Sequence, residues 1–541
     1  MNADASSYLA ALTTLRALIP ELIVLSVATI VMTAGPFVKQ PRRVWSATAF
    51  FTLVVAALAL YGVHNITPDP YSSVLLNDAF SGWTRMGFLM AGLVIVLLAH
   101  DQVDDARSPE FFGGLMMLHA GAMLVGSAND LVLLFVGLEL VSMPTYLLLY
   151  LTRRNATTQE ASAKYFFLSV FSSGLLLFGL AYLYGIAGVS NLKALSYLCH
   201  HLAYVPNPTL GIIAIVFVMA GLGFRVAAVP FHFYAPDVYE ASPTIVAALL
   251  AWIPKGVGFA AMLRAVTAVF AETEALSQRG AILVYLIAIA TMTVGNMLAL
   301  RQTNLKRLLA YSSIAHAGYL LIGVVAAFRN LPYSPGVTSQ ATPLVLGAEG
   351  VLLYLMTYSL MTLGAFGTII LLSTPERPVE SIEDLDGLAK YQPVPALFLA
   401  LCLFSLAGVP PLAGFWGKLW VFWSALGATS PRSDESGPGL MMSLVIFGGL
   451  NAAIGAYYYL RLVVAMYLRP APEVRLTPRN AWPTALAVGG CATLSLFLGC
   501  YPRPLKEASR EAGVAAITQP VPSPVSSAPE HPGAEHTALA H

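Results

Sequence analysis

Four ionisable side chains lie inside long apolar stretches of this sequence, where a charge is unusual. They are Glu139, Arg225, Lys255 and Lys418, and a fifth, Lys164, lies nearer the start of such a stretch. A charge at the centre of a lipid bilayer costs at least ~2.5–3.5 kcal/mol on insertion scales, so each group needs a partner or a water-filled path. Such residues are typical of proton or ion pathways, which makes them candidates for function.

Glu139 and Lys255 have the chemistry of a proton switch. The charge of a lysine taken out of water depends on whether a carboxylate is close by. Moving a carboxylate toward or away from Lys255 would therefore load or release a proton. Each residue also has a simpler interpretation: Glu139 could only pin a neighbouring helix, and Lys255 could reach to the membrane surface. We favour function, because a structural acid seldom justifies its insertion cost and because Lys255 lies several positions inside its segment.

Arg225 and Lys418 lie beside interruptions in two long apolar segments. Arginine stays protonated essentially always, so Arg225 can be a fixed counter-ion but hardly a proton carrier. We expect it to hold Glu139 charged or to tune Lys255. Lys418 follows a Pro-Pro break, and it could serve as a partner for free carbonyls at a helix end. That interpretation also places Lys418 at a polar cavity, so it does not exclude a functional role.

Three histidines occupy apolar surroundings. A lone histidine inside a membrane is either a hydrogen-bonded packing residue or a proton relay, since imidazole can pass protons near neutral pH. For His232 and His316, which lie near the interruptions, the two interpretations stay open. His119 favours packing.

Several kinds of chemistry have no sequence signature here. The four cysteines, at positions 199, 402, 491 and 500, form no CxxC pair and no Cys/His cluster, so we expect no metal site or iron-sulfur cluster on this chain. No GxGxxG or P-loop motif predicts a nucleotide or nicotinamide site. No basic stripe with interleaved aromatic residues predicts a nucleic-acid partner.

The composition places the chain in a lipid bilayer. Of its 541 residues, 57% are hydrophobic and only 11% are charged, whereas soluble domains carry roughly 25% charged residues. Apolar segments long enough to cross hydrocarbon recur almost without interruption, and they predict an all-α, polytopic transmembrane helical bundle of about fourteen helices. The segments are 18–34, 44–63, 83–99, 111–128, 130–151, 163–186, 208–240, 244–268, 279–300, 305–325, 348–372, 393–427, 440–468 and 481–500.

The seventh and twelfth segments are too long for one plain helix, and glycine and proline interrupt both. Broken helices at membrane depth are tolerated where the freed backbone groups line a polar cavity, and they often mark a transport site. The breaks lie five segments apart, which predicts two inverted five-helix repeats. We therefore divide the chain into N-terminal helices (1–110), a first repeat (111–268), a second repeat (279–468), a last helix (481–500) and a polar, disordered tail (501–541).

The distribution of basic residues predicts the orientation in the membrane. Fifteen Lys and Arg residues fall on one side of the segments and ten on the other, and the richer side is expected to be cytoplasmic. Both termini would then face the outer, periplasmic side. The N-terminus lacks a basic region and a cleavage site before its first apolar run, so we expect a retained helix rather than a signal peptide.

Four stretches resemble subunit N of bacterial NADH-quinone oxidoreductase, the respiratory complex I, in the antiporter-like membrane subunit family. They are FVGLELVSMPTY at 135–146, AVPFHFYAPDVY at 228–239, QTNLKRLLAYSSIAHAGY at 302–319 and SLAGVPPLAGF at 405–415. The resemblance implies a fourteen-helix fold in which Glu139 is the acid of the fifth helix, Lys255 the central lysine and Lys418 the exit-side lysine. Arg225 stands where the family usually has a lysine, which leaves open whether that step of the proton cycle runs as usual.

The resemblance also implies a function and partners. The chain would be a proton-translocating translocase subunit in the bacterial inner membrane, beside other membrane-arm subunits. Other subunits would bind NADH, FMN, iron-sulfur clusters and a quinone such as ubiquinone. This chain would bind no cofactor. Two alternatives remain: a subunit of a multi-component cation/proton antiporter, which shares these motifs, and a structural membrane spacer without a proton path.

Overall fold

The computed structural model describes residues 2–152, 156–201, 208–266, 274–329, 343–374, 377–427, 437–472, 476 and 481–517. In these ranges the chain folds into helices, and β structure is limited to isolated bridges. The helices are α1 (Asn2–Ala17), α2 (Ile19–Ala34), α3 (Arg42–Gly62), α4 (Ala79–Ala99), α5 (Ser108–Ser127), α6 (Leu131–Thr152), α7 (Ala156–Ala187), α8 (Leu192–His201), α9 (Pro208–Arg225), α10 (Tyr234–Ala241), α11 (Thr244–Ala265), α12 (Glu274–Ala299), α13 (Leu305–Arg329), α14 (Pro343–Leu372), α15 (Leu388–Tyr391), α16 (Pro393–Ala407), α17 (Ala413–Gly427), α18 (Gly437–Leu468), α19 (Trp482–Cys500) and α20 (Arg503–Ile517).

The helices confirm an all-α, polytopic membrane fold. Among the described residues, eleven helices are long and apolar enough to cross a membrane. Two further apolar helices, Thr209–Arg225 and Pro393–Ala407, are shorter, and they are the first halves of the two segments predicted to be broken. Each of the fourteen predicted segments contains helix. The total of about fourteen membrane spans nevertheless stays a prediction, because eleven described helices have the length and hydropathy of a membrane span.

Both predicted breaks are confirmed, and local chemistry explains them. After α9, residues 226–230 leave the helix before a 3₁₀ turn at Phe231–Phe233 leads into α10. Between α16 and α17, Gly408 ends the first half with φ +90°, a conformation that costs other residues about 1–2 kcal/mol. Prolines follow in both breaks, and a proline lacks the N–H that would continue the helix. Each break therefore leaves backbone carbonyls inside the bundle that need side-chain partners.

Three helices form the centre of the bundle. The apolar stretches with which α11 and α13 would cross the membrane are completely buried inside the bundle, and that of α14 is buried almost completely. Glycines let these helices approach closely: a Cβ placed on Gly347 of α14 would lie 2.8 Å from the carbonyl oxygen of Gly323 on α13. Close approach at small residues is the usual way in which helices associate in a membrane. Side chains carried by these three helices are thus shielded from lipid.

The C-terminal region contains a helix where the sequence predicts a polar, disordered tail. Helix α20 covers Arg503–Ile517, so that prediction is wrong over these residues. The buried positions are Ser509, Ala512, Gly513 and Ala516, which have the i, i+3, i+4, i+7 spacing of one helix face. Small residues make up this face, so hydropathy gives little signal for it. Residues 518–541 lie outside the described residues, and the proposed domain boundaries stay a prediction.

A buried ion pair joins the N-terminal helices. Arg85 on α4 donates to Glu21 Oε2 on α2 over 2.6 Å, and both side chains are almost fully buried. The guanidinium also donates to the Asn77 side chain and to the Ala17 carbonyl oxygen. In the basic-residue count above, Arg85 is one of the ten residues on the outer side, and Glu21 is not among the candidate residues, so sequence reasoning did not predict this pair.

We predict that Glu21→Leu destabilises the chain strongly, because it leaves the Arg85 guanidinium buried without a counter-ion. Breaking one side of a buried pair costs roughly 3–5 kcal/mol. The measurement is the thermal denaturation midpoint and the yield of the purified assembly. The double variant Glu21→Leu/Arg85→Met removes both charges and should recover most of the loss. A single variant as stable as the wild type would contradict the stabilising role of the pair.

Candidate functional site

Of the two residues on which Arg225 was expected to act, Glu139 and Lys255, the structure places Glu139 in direct contact with it. Arg225 Nη2 donates to Glu139 Oε1 over 2.8 Å, which joins the end of α9 to the middle of α6. Ser173 Oγ on α7 donates to the same carboxylate oxygen over 2.5 Å. The Glu139 side chain keeps 20% of its surface exposed in this chain. The carboxylate is thus compensated by one cation and one hydroxyl, yet not sealed from its surroundings.

Arg225 is fixed by more than this carboxylate. Its Nη1 donates to the Leu138 carbonyl oxygen over 3.0 Å and to Ser142 Oγ, and its Nη2 also contacts Ser173 Oγ over 3.3 Å. The residue ends α9, and a cation at a helix C-terminus interacts favourably with the helix dipole. These acceptors hold the Arg225 guanidinium in one position, which suits a permanent counter-charge to the Glu139 carboxylate.

Lys255 lies at the centre of α11, almost completely buried. Within the described residues its hydrogen bond goes to Ser313 Oγ on α13. Tyr358 on α14 donates to the same Ser313 oxygen over 2.7 Å. The lysine is therefore held by a neutral hydroxyl that three central helices share, and not by a carboxylate.

The first break packs close to this lysine. Gly258 follows Lys255 by one turn of α11, and a Cβ placed on it would lie 3.5 Å from Arg225 Cβ. It would also meet the Val226 side chain, so only glycine leaves room for the break at this point. The arrangement brings the Glu139–Arg225 pair to the same face of α11 as Lys255.

His316 continues the polar row from Ser313. It lies one turn further along α13, with Nδ1 2.6 Å from Tyr354 OH and Nε2 3.0 Å from Tyr459 OH. The Tyr459 hydroxyl also bonds to Ser312 Oγ. A phenol both donates and accepts a hydrogen bond, and neutral imidazole does the same through its two nitrogens. His316 is thus embedded in groups that can exchange protons as well as pack.

Lys418 lies at the second break. Its Nζ donates to the carbonyl oxygens of Leu406 and Ala407 over 2.9 and 2.8 Å, which are carbonyls that the end of α16 leaves free. It also lies 5.1 Å above the centre of the Tyr319 ring, within cation–π range. Lys418 is therefore the helix-end partner that its position after the Pro-Pro break suggests. Both Lys418 and Lys255 are near enough to His316 to act on it electrostatically.

Other candidate residues lie outside this row. Lys164 is 45% exposed and pairs with Glu160 over 2.7 Å and with Asp237 over 3.6 Å. His232 lies in the 3₁₀ turn after the first break, half-buried. His119 bonds to the Leu115 carbonyl oxygen of its own helix, which agrees with a packing role.

Sequence reasoning missed the neutral members of the row. They are Ser313, Tyr354, Tyr358 and Tyr459, and none was singled out because none is charged. A usable signal did exist: Tyr354 and Tyr358 are four residues apart in an apolar segment, the spacing that places two side chains on one helix face. Among the described residues, no group of three or more His, Cys, Asp or Glu side chains could hold a metal ion.

An all-α bundle with two interrupted helices and buried charged residues beside both breaks is typical of antiporter-like membrane subunits. The family model described as "NADH:quinone oxidoreductase/Mrp antiporter, TM" matches residues 128–432. The chain is 37% identical over 504 residues to NADH-quinone oxidoreductase subunit N of Paramagnetospirillum magneticum, covering 91% of this chain and 96% of that relative. The chain belongs to this family, the subunit N family of NADH-quinone oxidoreductases.

Solved structures agree with this assignment. A chain of respiratory complex I from Thermus thermophilus is 30% identical, with a TM-score of 0.72, and the match covers 91% of this chain and 99% of that one. A chain of the Mrp complex from Dietzia sp. DQ12-45-1b has a TM-score of 0.76 at 19% identity, covering 94% and 98%; this likeness shows the fold alone. The chain is thus a proton-translocating membrane-arm subunit of an NADH:quinone oxidoreductase, and the antiporter alternative has the weaker support.

We predict that Ser313→Ala slows proton pumping without preventing assembly. The change removes the hydrogen bond that holds the Lys255 ammonium, and a bond to a charged group is worth ~1.5–3 kcal/mol. If that energy enters the barrier for proton transfer, the rate falls roughly tenfold or more. The measurement is pumping rate per assembled complex in sealed vesicles.

Ser359→Ala is the matched control, because Ser359 lies one residue from Tyr358 but bonds to the Met356 carbonyl oxygen of its own helix. It should pump like the wild type. Equal rates for the two variants would show that Ser313 has no special part in proton transfer.

Proposed function

We propose that protons cross this subunit along a row of buried side chains that runs from Glu139 and Arg225 through Lys255 and His316 to Lys418. The observation that supports the row is Ser313: its hydroxyl joins Lys255 of α11 to Tyr358 of α14, one turn before His316 on α13. Charged groups of the two broken helices thus flank one set of hydroxyl and imidazole groups at the centre of the bundle.

The Glu139–Arg225 pair is the proposed control element. Moving one proton against ~150 mV requires about 3.5 kcal/mol, and breaking one buried ion pair involves roughly 3–5 kcal/mol. The two energies have the same scale, so opening or closing this pair is sufficient to bias one proton transfer. Arg225 stays charged throughout and keeps its bonds to Leu138 and Ser142, so the Glu139 carboxylate is the group that moves.

Proton transfer beyond Lys255 uses groups that can both accept and donate. Lys255 gives a proton to the Ser313 hydroxyl while that hydroxyl passes its own proton to a water on the way to His316, so the lysine becomes neutral and the serine is unchanged. His316 can accept at one nitrogen and release at the other, between Tyr354 and Tyr459. Water bridges the places where two groups are not in direct contact, because a bridging water is nearly as favourable as a direct bond.

The intake side of the row is the end of α10. Asp237 and Glu240 are each 41% exposed and both bind Arg307, and Lys164 joins the same cluster through Asp237. Between these acids, Tyr239 is buried, and α10 packs against α13, the helix that carries Ser313. We assign Lys164 and His232 to this intake region: Lys164 as part of the surface cluster, and His232 as a relay in the turn that precedes α10.

The chain works inside a larger assembly in the bacterial inner membrane. We propose that its neighbours are the other membrane-arm subunits, and that NADH, FMN, iron-sulfur clusters and quinone are bound elsewhere in the complex. Support comes from the apolar side chains exposed on outer helices, such as Phe167, Phe171 and Phe178 on α7, which suit lipid or a neighbouring helix. The basic-residue bias supports cytoplasmic placement of the α10 end and outer placement of both termini.

We predict that Glu139→Gln lowers protons pumped per electron, because glutamine keeps the size of the side chain but can neither pair as an ion with Arg225 nor change its charge. Proton pumping and quinone reduction are followed together in vesicles that contain the whole assembly, and pumping should fall severalfold.

The control variant is Glu160→Gln, which removes an acid that is 64% exposed and pairs with Lys164 at the surface. Exposed pairs contribute roughly 0–1 kcal/mol, so this variant should resemble the wild type. If Glu139→Gln also pumps like the wild type, the Glu139–Arg225 pair does not control proton movement.

A further inference from the structure

A second buried carboxylate lies outside the proposed row. Glu349 is in the first turns of α14 and is only 1% exposed. Trp420 on α17 donates its indole N–H to Glu349 Oε1 over 2.7 Å. An indole N–H can donate but cannot accept, so Trp420 orients the carboxyl group without competing for its proton. Proton transfer at Glu349 can then use the other oxygen, Oε2.

The position of Glu349 follows from the way in which α14 and α17 pack. Gly417 on α17 fits against the Tyr354 ring, while a Cβ placed on Gly350 would lie 3.3 Å from the Trp420 carbonyl oxygen. As α17 advances from Gly417 to Trp420, its contacts on α14 move back from 354 to 350, so the helices are antiparallel. Glu349 therefore lies further from the bundle centre than Tyr354, toward the end of α17 that follows Lys418.

Helix α20 brings two basic residues to this end of the bundle. Lys506 Nζ lies 4.5 Å above the Trp420 ring, and Lys506 and Arg510, one turn apart, both act electrostatically on Glu349. Toward α13, this part of α14 contacts Gly323 and Ala327, which carry no charge. The carboxylate thus lies in the field of two cations, which favours its charged form.

We propose that Glu349 is the proton-release acid of this chain. A proton leaves the Lys418 ammonium, crosses by water to Glu349 Oε2, and converts the carboxylate to a carboxylic acid while the lysine becomes neutral. The acid then loses this proton to water beneath α20, and the restored carboxylate is attracted again by Lys506 and Arg510. The assignment rests on the proposed role of Lys418, and it explains why an acid is retained at a buried position that is costly for it.

The test uses the whole assembly in inside-out vesicles, where the compartment facing α20 is the lumen. Pumping and quinone reduction are measured while lumen pH is varied at constant external pH. Glu349→Gln keeps an acceptor for the Trp420 indole but cannot carry a proton. It should pump severalfold more slowly and lose the slowing that acid lumen pH causes in the wild type, whereas Glu349→Asp, which restores a carboxyl group, should recover both.

Two controls separate this proposal from the others. Glu507→Gln removes an exposed acid of α20 that pairs only with Arg503 among the described residues, and it should behave like the wild type. Lys418→Ala tests the path itself. If Lys418→Ala stops pumping while Glu349→Gln matches the wild type at every lumen pH, Glu349 is not the release acid, but the proton path through Lys418 stands. If neither variant changes pumping, the proton path itself is contradicted.

A third variant covers the case in which Glu349 variants do not assemble. Trp420→Phe leaves the carboxyl group in place but removes its indole hydrogen bond. It should shift the lumen pH at which pumping is half-slowed, because the bond favours the charged form. An unchanged profile would overturn the assignment, since a release acid must respond to the loss of its hydrogen-bond donor.

Discussion

An ionised group buried away from water needs a compensating group, and this requirement organises the interior of the protein. Insertion into a bilayer makes each uncompensated charge costly, and the backbone of a regular helix cannot compensate it, because its polar groups are already paired. The two broken helices remove this restriction. One break begins directly after Arg225, which pairs with Glu139. The other frees the Leu406 and Ala407 carbonyls that bind Lys418.

The central helices explain how these charges can communicate. Helices α11, α13 and α14 are shielded from lipid, so their hydroxyl groups act in a medium of low dielectric constant, where electrostatic effects are strong. Lys255 has a neutral partner, Ser313, rather than an acid. Its charge is therefore sensitive to groups further away, such as the Glu139–Arg225 pair beside Gly258. A lysine already neutralised by a direct carboxylate contact would respond less to such a signal.

Sequence reasoning predicted the charged residues better than the groups that hold them. The Glu139–Arg225 pair and the helix-end partner for Lys418 follow from a simple rule, that a charge in an apolar segment must find an opposite charge or a free carbonyl. Ser313 and Tyr358 could not be found by that rule, because neutral hydroxyl groups are common in membrane helices. Their importance depends on which helices meet, and that is a property of the tertiary fold.

The same limit applied at the ends of the segments. Arg85 and Arg264 are both among the ten basic residues counted on the outer side, yet the structure buries both in ion pairs, with Glu21 and Asp78. Hydropathy cannot tell a basic residue just outside a span from one that turns inward to a partner. Helix α20 was missed for a related reason: its buried face is built from Ser509, Ala512, Gly513 and Ala516, which contribute almost no apolar signal.

The central claim, that this chain carries a proton path through Lys255, is tested most directly by Lys255→Ala. The complete assembly is reconstituted in sealed vesicles, and protons pumped per electron are compared with the wild type while quinone reduction is followed in parallel. Lys390→Ala, which removes an exposed lysine of α15, serves as the control. The account predicts fewer protons per electron, with or without slower turnover, for Lys255→Ala alone. Unchanged turnover and unchanged stoichiometry would contradict the path and favour a purely structural role.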